Sequence, residues 1–174
     1  MIGLWVYNQY SFDKFLPEYE SVYRVQRNYN SNGDTLTFQT TSLKLAEALR
    51  TQIPEIEYVA ESDWTGNHGL IVGDKKLYVN GAICGPDIFK ILQYPFVEGN
   101  ANTAFKEPYS IVLTRSLAIS LFGNVNAMNK TVRFDNANDL KVTGIINDVP
   151  ANASFSFKYI VPSTYAYAVN PQMK

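Results

Sequence analysis

Histidine and cysteine, the side chains most often used for nucleophilic catalysis and metal binding, each occur once in this chain. His68 lies in the glycine-containing stretch TGNHG at residues 65–69, which is typical of a loop, and Cys84 follows the apolar run GAI. A Ser-His-Asp or Cys-His site would have to use His68, and a tetrahedral zinc site would need several more ligands. We expect His68 to be a solvated turn residue and Cys84 to be a small, buried core residue.

A cluster of carboxylate and amide side chains at residues 135–139 has the composition of a calcium loop. The EF-hand pattern requires an oxygen ligand at its third position and glycine at its sixth, where this chain has Ala137 and Leu140. The same composition favours a hairpin turn, which we predict here. Asp148 precedes a proline-containing turn, and we expect its side chain to cap that turn.

Two other local patterns offer weak signals. Gly123 follows a predicted helix without the Gly-Lys-Thr pattern of a phosphate-binding loop. The segments Asn129-Lys130-Thr131 and Asn152-Ala153-Ser154 fit the N-glycosylation pattern, which arises often by chance in a chain rich in asparagine. The sequence therefore predicts no catalytic, cofactor-binding or metal-binding residues.

Composition limits the class of protein. The 174 residues include 15 Lys and Arg and 16 Asp and Glu, with 46% hydrophobic and 14% aromatic residues. That content supports one compact domain or two small lobes and excludes a disordered chain. The near-neutral charge argues against a nucleic-acid partner, which would require a basic surface.

Periodicity and turn residues predict a mixture of helices and strands, typical of the α+β class. Hairpins are expected where turn residues separate two strand-like runs, and helices where apolar residues recur at helical spacing. The predicted hairpins lie at 21–40, 70–83 and 131–146, the single strands at 56–63, 110–113 and 155–161, the helices at 41–52 and 115–122, and a helical turn at 86–92.

The first residues leave two interpretations open. Residues 1–7 are apolar and aromatic, but they are too few to span a bilayer and lack the basic start of a signal peptide. Trp5, Tyr7 and Tyr10 suit the end of a membrane helix at the lipid–water interface. An ordinary helix that packs on the core explains the same residues equally well.

Three segments in a fixed order carry the most specific signal. They are SFDKF at 11–15 followed by VYRV at 22–25, the stretch DIFKILQYPFVEG at 87–99 that continues into IVLTRSLA and LFG, and VTGIINDVP at 142–150. Together they resemble the MacB-like periplasmic core domain of FtsX-like ABC transporter permeases, in a form found in Bacteroidetes. The chain departs from that pattern at Ile88-Phe89, where the family has a phenylalanine pair.

The resemblance implies an α+β fold of two lobes. Residues 1–18 would be the end of the first membrane helix and a linker. Residues 19–64 with 152–174 would form a porter-like α/β sandwich lobe next to the membrane, incomplete at its C-terminus. Residues 65–151 would form an inserted, mostly β lobe.

The resemblance also implies a function without catalysis by the domain. It would lie in the periplasm, held at the inner membrane by flanking helices, and would couple cytoplasmic ATP hydrolysis to export or mechanical work. The implied partners are a second permease copy, an ABC-type ATPase, and a periplasmic adaptor or outer-membrane channel. Two alternatives remain, a membrane-anchored sensor or protein-binding domain that regulates a partner, and a hydrolase.

Overall fold

A computed structural model describes residues 2–63, 65–124 and 126–173, which form five α-helices and nine β-strands. The helices are α1 (Ile2–Tyr10), α2 (Leu45–Gln52), α3 (Ile88–Leu92), α4 (Arg115–Phe122) and α5 (Ser163–Val169). The strands are β1 (Arg27–Ser31), β2 (Asp34–Phe38), β3 (Gly66–Val72), β4 (Lys75–Cys84), β5 (Phe96–Glu98), β6 (Ser110–Thr114), β7 (Thr131–Phe134), β8 (Asn138–Ile146) and β9 (Tyr159–Pro162).

The three predicted hairpins are confirmed as β1–β2, β3–β4 and β7–β8, each an antiparallel pair. Their turns use residues that tolerate positive φ, such as Asn32 and Gly33 between β1 and β2, and Gly73 between β3 and β4. The helix predicted at 115–122 is confirmed as α4, and it ends at Gly123, which also has positive φ.

Several predicted elements differ from the structure. Residues 56–63 form no strand, and only Ser62 makes an isolated bridge, to Cys84. The helix predicted from residue 41 begins later, at Leu45. Just before it, the Ser42 hydroxyl accepts a hydrogen bond from the Lys44 amide. The short strand β5 and the helix α5 have no counterpart among the predicted elements.

Seven strands form one sheet in the order β5-β8-β6-β9-β4-β3-β7. Because β7 pairs with β3 on one side and with β8 on the other, six strands close into a barrel, from which β5 extends along β8. The pairs β4–β9 and β6–β8 are parallel, and the other pairs are antiparallel. Closure removes free strand edges from this part of the molecule.

Successive side chains of a barrel strand point to opposite faces of the sheet, and the apolar ones form two hydrophobic clusters, one on each face. Ile111 and Leu113 of β6 belong to the inner cluster, which also takes residues from β3, β7, β8, β9 and α4. Val112, between them in sequence, belongs to the outer cluster beneath α3 and the 94–105 segment. The strands β6 and β9 are buried on both sides, so they form the rigid centre of the domain.

The strand β9 lies in the middle of the large sheet, between β6 and β4. The resemblance implies that residues 152–174 belong to the lobe of residues 19–64; in the structure, β9 lies in the sheet built from residues 66–146, and α5 follows it. The physical reason is that β9 is apolar on both faces: Tyr159 and Val161 pack in one hydrophobic cluster and Ile160 in the other, so the strand is covered on both faces. How the complete domain divides into lobes stays a prediction.

The hairpin β1–β2 forms a separate two-stranded sheet, and its side chains are exposed apart from Ser31. The helix α2 follows it and buries none of its residues fully. None of the helices in the described residues has the length and apolar character needed to cross a bilayer.

Candidate functional site

The single histidine lies at the seam of the barrel, by which we mean the place where β3 pairs with β7 and closes the sheet. The stretch around His68 is part of strand β3, so the expectation of a loop is wrong, because its backbone pairs with β4 from Gly66 onward. The Nδ1 atom of His68 lies 2.6 Å from Oδ2 of Asp135, in the turn between β7 and β8. The imidazole is half-buried and stacks on Phe134 with ring centroids 4.9 Å apart.

Asp135 extends the pairing of β3 with β7 beyond the strands themselves. Its backbone amide donates a hydrogen bond to the Gly69 carbonyl at 2.8 Å, and its Oδ1 accepts one from the Gly69 amide at 2.8 Å. Only Leu70 with Phe134 and Ile71 with Arg133 pair in regular register along this seam. The Asp135 side chain therefore replaces a backbone acceptor at the point where the barrel closes.

Tyr159 lies beside this pair in the barrel interior, with its ring edge-on to His68. Its ring also occupies the space above Gly81, where a Cβ atom would be 2.2 Å from Cζ. Burial, together with the nearby carboxylates of Asp135 and Asp63, raises the pKa of Tyr159 well above its usual range. In the described residues its hydroxyl has no hydrogen-bond partner.

The hydrogen bonds of His68 and Asp135 join each other and the backbone of β3. In the described residues, no Ser, Thr or Cys side chain forms a hydrogen bond with His68, and no three His, Cys, Asp or Glu side chains are arranged to hold a metal ion. An aspartate paired with histidine orients the imidazole, but catalysis also needs a nucleophile within reach. The arrangement suits a structural role, in which Asp135 holds the β7–β8 turn against strand β3.

The single cysteine is a buried core residue, as predicted. Cys84 has no exposed surface, and its thiol donates a hydrogen bond to the Ser62 hydroxyl at 3.4 Å. Burial raises the pKa of the Cys84 thiol to about 12. Because the thiolate is the reactive form, this side chain is chemically inert in the folded domain.

Asp148 caps a helix rather than its own turn, so that prediction is wrong. Its Oδ1 accepts hydrogen bonds from the Ser116 hydroxyl at 2.6 Å and from the Ser116 amide at 3.1 Å, at the start of α4. Burial raises the pKa of the Asp148 carboxyl, but these hydrogen bonds and the charge of Lys158 outweigh it and leave the pKa below its usual value. The carboxylate serves as the N-terminal cap of α4, because Thr114, the residue that precedes the helix, forms no side-chain cap hydrogen bond.

The carboxylate-rich segment at 135–139 contains the turn of the β7–β8 hairpin, as predicted, with Asn138 and Asp139 at the start of β8. Asp135 and Asn136 both have positive φ, as a tight hairpin turn requires. Asp139 extends away from Asp135 and lies 3.5 Å from the Arg133 guanidinium. The hydrogen bonds of Asp135 go to His68 and Gly69 of strand β3.

A junction between the N-terminal segment and the barrel was not predicted from the sequence. The Asn152 side-chain amide donates hydrogen bonds to the Ser11 carbonyl at 2.7 Å and to the Ser11 hydroxyl at 3.3 Å. The Asp13 amide donates to the Asn152 carbonyl at 3.0 Å, and Asp13 Oδ1 accepts from the Ser154 amide at 2.8 Å. We call these four residues the junction.

The junction explains two features of the sequence. The segment SFDKF supplies Ser11 and Asp13, and Asp13 takes a positive φ of 59° to place its amide and carboxylate on the same partner segment. Asn152 fits the glycosylation pattern, but its side-chain nitrogen is already used within the fold. The segment SFDKF belongs to the sequence signature, but Asn152 and Ser154 lie just beyond its third segment, so the pairing was not evident.

Comparison with known proteins identifies the family. The model of the MacB-like periplasmic core domain matches residues 1–173. No curated protein sequence matches the chain. Among solved structures, a domain from Porphyromonas gingivalis, assigned to a permease protein, has a TM-score of 0.65 at 22% identity, and the match covers 78% of this chain and 64% of that one.

Two further structures share the fold. The periplasmic region of MacB from Actinobacillus actinomycetemcomitans has a TM-score of 0.62 at 22% identity, with 84% of this chain and 67% of that one covered. The extracellular domain of the ABC-type transporter YknZ from Gram-positive bacteria has a TM-score of 0.58 at 11% identity, with 76% and 67% covered. This chain thus spans about two thirds of the length of the structures it resembles. It belongs to the MacB-like periplasmic core domain family, the periplasmic domains of FtsX-like ABC transporter permeases.

Proposed function

We propose that this domain is the extracytoplasmic part of an ABC transporter permease that couples cytoplasmic ATP hydrolysis to export or to mechanical work in the periplasm. The observation that carries the proposal is the family match over residues 1–173. The partners we propose are a second copy of the permease, an ABC-type ATPase, and a periplasmic adaptor or an outer-membrane channel. The domain itself would lie in the periplasm at the inner membrane and would catalyse no reaction.

The character of α1 supports a position beside the membrane. This helix contains no charged residue, and Val6, Tyr7 and Tyr10 are exposed instead of packing on the core. Exposed tyrosines on an uncharged helix are typical of the lipid–water interface. Of the two interpretations of the N-terminus, this exposure favours the end of a membrane helix.

The junction supports a mechanical role. Motion of a membrane helix reaches the barrel only if the linker between them is held by specific bonds. Asn152 and Asp13 supply such bonds, which join the linker directly to the segment that leads into β9. Because β9 is buried at the centre of the large sheet, a displacement at the junction would move the barrel as one body.

The test of this proposal uses the full-length protein, extracted gently from its own membrane through a C-terminal tag. We expect an ATP-binding subunit to co-purify in stoichiometric amount and to hydrolyse ATP in a vanadate-sensitive manner. Absence of both would overturn the permease proposal and would leave a membrane-anchored sensor or binding domain as the better account.

A second measurement tests coupling through the junction. Nitroxide labels at Ile119→Cys, on the exposed side of α4, would report the distance between the two copies in the ATP-free and vanadate-trapped states. Cysteines outside this domain would first be replaced by serine, and Cys84 is too buried to react. We expect the distance to change between the two nucleotide states in the parent and in the matched control Asn102→Ala. In Asn152→Ala we expect a smaller change in this distance. An equal response in all three would show that the junction does not transmit the motion.

A further inference from the structure

The chain contains two Asn-Gly pairs, Asn32-Gly33 and Asn80-Gly81, and the fold places them in opposite environments. Asparagine is a chemically labile residue, and it deamidates most readily before glycine, which has no side chain to hinder attack by its backbone nitrogen on the asparagine side chain. The two pairs are identical in sequence, so the environment of each decides whether it reacts in the folded protein.

The pair Asn32-Gly33 is the tip of the hairpin β1–β2. Both residues are exposed, and they form the two-residue turn between Ser31 and Asp34, which lie directly opposite each other in the register. Their φ angles are both positive, 52° for Asn32 and 93° for Gly33, as a tight hairpin turn favours. No atom lies within 4 Å of the position that a Cβ atom would take at Gly33, so the turn is open on that side.

Hydrogen bonds do not restrain this pair within the described residues. The side-chain amide of Asn32 and the backbone amide of Gly33 both lack a hydrogen-bond partner there. To react, Asn32 must leave its left-handed conformation so that its Cγ atom reaches the Gly33 nitrogen. An exposed loop tip of this kind opens at low cost in free energy, so the required rotation is available to the folded protein.

The pair Asn80-Gly81 is held in the large sheet. The Asn80 side-chain amide donates a hydrogen bond to the Ser156 carbonyl at 2.9 Å, and the Asn80 carbonyl accepts one from the Lys158 amide at 2.9 Å. That carbonyl belongs to the same peptide group as the Gly81 nitrogen, so the attacking atom and the side chain are both fixed. The Tyr159 ring also covers Gly81, which prevents local rearrangement.

We propose that Asn32 is a site of spontaneous deamidation in the folded domain and that Asn80 is protected by the sheet. The Gly33 backbone nitrogen loses its proton to a base and attacks Cγ of Asn32. A C–N bond forms, and the side-chain nitrogen takes up a proton and leaves as ammonia. Water then opens the resulting succinimide ring at either carbonyl, which gives aspartate or isoaspartate. The reaction consumes water, releases ammonia and involves no oxidation or reduction.

Either product changes the hairpin. Both add a negative charge at position 32, close to Asp34. In isoaspartate the backbone runs through the side-chain carbon, so the turn gains a methylene group and no longer matches the direct pairing of Ser31 with Asp34. The hairpin tip is therefore a place where the domain ages while the barrel stays intact. This proposal does not depend on the permease function.

The test incubates the full-length protein in detergent at mildly alkaline pH and follows both pairs by peptide mass spectrometry. Electron-based fragmentation separates aspartate from isoaspartate. We expect residue 32 to convert at least tenfold faster than residue 80 in the folded protein. The same protein unfolded in denaturant is the matched control, in which the two pairs should convert at similar rates because both are then flexible.

Comparable rates at residues 32 and 80 in the folded protein would overturn the proposal. So would a folded protein that keeps Asn32 unchanged over a period in which the unfolded protein converts it. The rate at residue 32 should also rise with pH, because the attacking nitrogen must lose a proton, and a rate independent of pH would contradict the mechanism. None of these outcomes requires an ATPase partner, so this test can fail while the permease proposal stands.

Discussion

The side-chain amide of Asn152 donates a hydrogen bond to the backbone carbonyl of Ser11, 2.7 Å away and 141 residues earlier in the sequence. This contact joins the segment after α1 to the segment before β9. It closes the chain on itself at the point where an N-terminal helix meets the barrel. In the mechanical role proposed above, this bond would couple the barrel to that helix.

Replacement of Asn152 by alanine is expected to loosen the N-terminal segment without unfolding the barrel. The change removes two hydrogen bonds to Ser11, each with a net contribution of about 1 kcal/mol. Hydrogen exchange measured by mass spectrometry should show faster exchange in residues 11–16 and unchanged exchange in β6 and β9. Asn102→Ala removes an exposed asparagine that has no such bond and should leave both regions unchanged.

Replacement of Gly81 by alanine is expected to be strongly destabilising. The new Cβ atom would lie 2.2 Å from Cζ of Tyr159, which is too buried to move freely. We expect a loss of about 2 kcal/mol or more in the free energy of unfolding, measured by chemical denaturation. Gly69→Ala is the control in the neighbouring strand, because its nearest contact would be an ordinary 3.7 Å to Asp135 Oδ1.

The combination of Gly81→Ala with Tyr159→Leu separates a steric clash from other effects of these residues. If the clash is the cause, the double variant will lose less stability than the sum of the two single variants. Strict additivity would contradict the packing that we describe.

The pair of His68 and Asp135 is expected to contribute modestly, with Asp135 as the more important member. Their side chains are 31% and 43% exposed, so a double-mutant cycle with alanine should give a coupling energy below about 1 kcal/mol. Asp135→Ala should cost more than His68→Ala, because it also removes the acceptor of the Gly69 amide. An equal cost for both variants would argue against the role of Asp135 in the seam.

The cap of α4 by Asp148 should give a stability difference that depends on pH. The pKa of this carboxyl is lower in the folded protein than the ordinary pKa of an aspartate, so ionisation stabilises the fold above that ordinary pKa. The stabilisation is lost as the pH falls through the lowered pKa. Asp148→Asn should therefore cost up to about 1 kcal/mol at pH 7, reduced by solvent screening.

Denaturation of both proteins between pH 2 and pH 7 checks this prediction. The difference in the free energy of unfolding should shrink toward the acid end, where Asp148 in the parent is protonated. Asp74→Asn, in the exposed turn between β3 and β4, is the control and should show no such trend. A difference that is constant across this range would contradict an ionised cap.

The elements that the sequence predicted correctly are those specified by neighbouring residues. The hairpin β7–β8 follows from alternating apolar residues on either side of the turn at 135–137, and α4 follows from Leu117 and Leu121 at helical spacing before Gly123. Cys84 was placed in the core because it ends an apolar strand. Each of these inferences uses contacts within about ten residues.

The elements that were missed depend on distant partners. Residues 56–63 carry strand-forming residues, but only Ser62 finds a pairing partner, so the segment stays irregular. The turn residue Asp148 binds the start of α4, 32 residues earlier. His68 looked like a loop residue because glycines surround it, yet the stretch pairs with β4 and contacts Asp135, 67 residues later in the sequence.

By itself the sequence determined the α+β class, the three hairpins, the helix α4 and the family signature, because local periodicity and turn chemistry specify them. Tertiary structure alone decided that six strands close into a barrel, that β9 lies between β6 and β4 in its sheet, and that Asn152 and Asp135 form the long-range hydrogen bonds of the junction and the seam. Strand order and long-range hydrogen bonds depend on which apolar faces fit together in space. No short stretch of sequence contains that information.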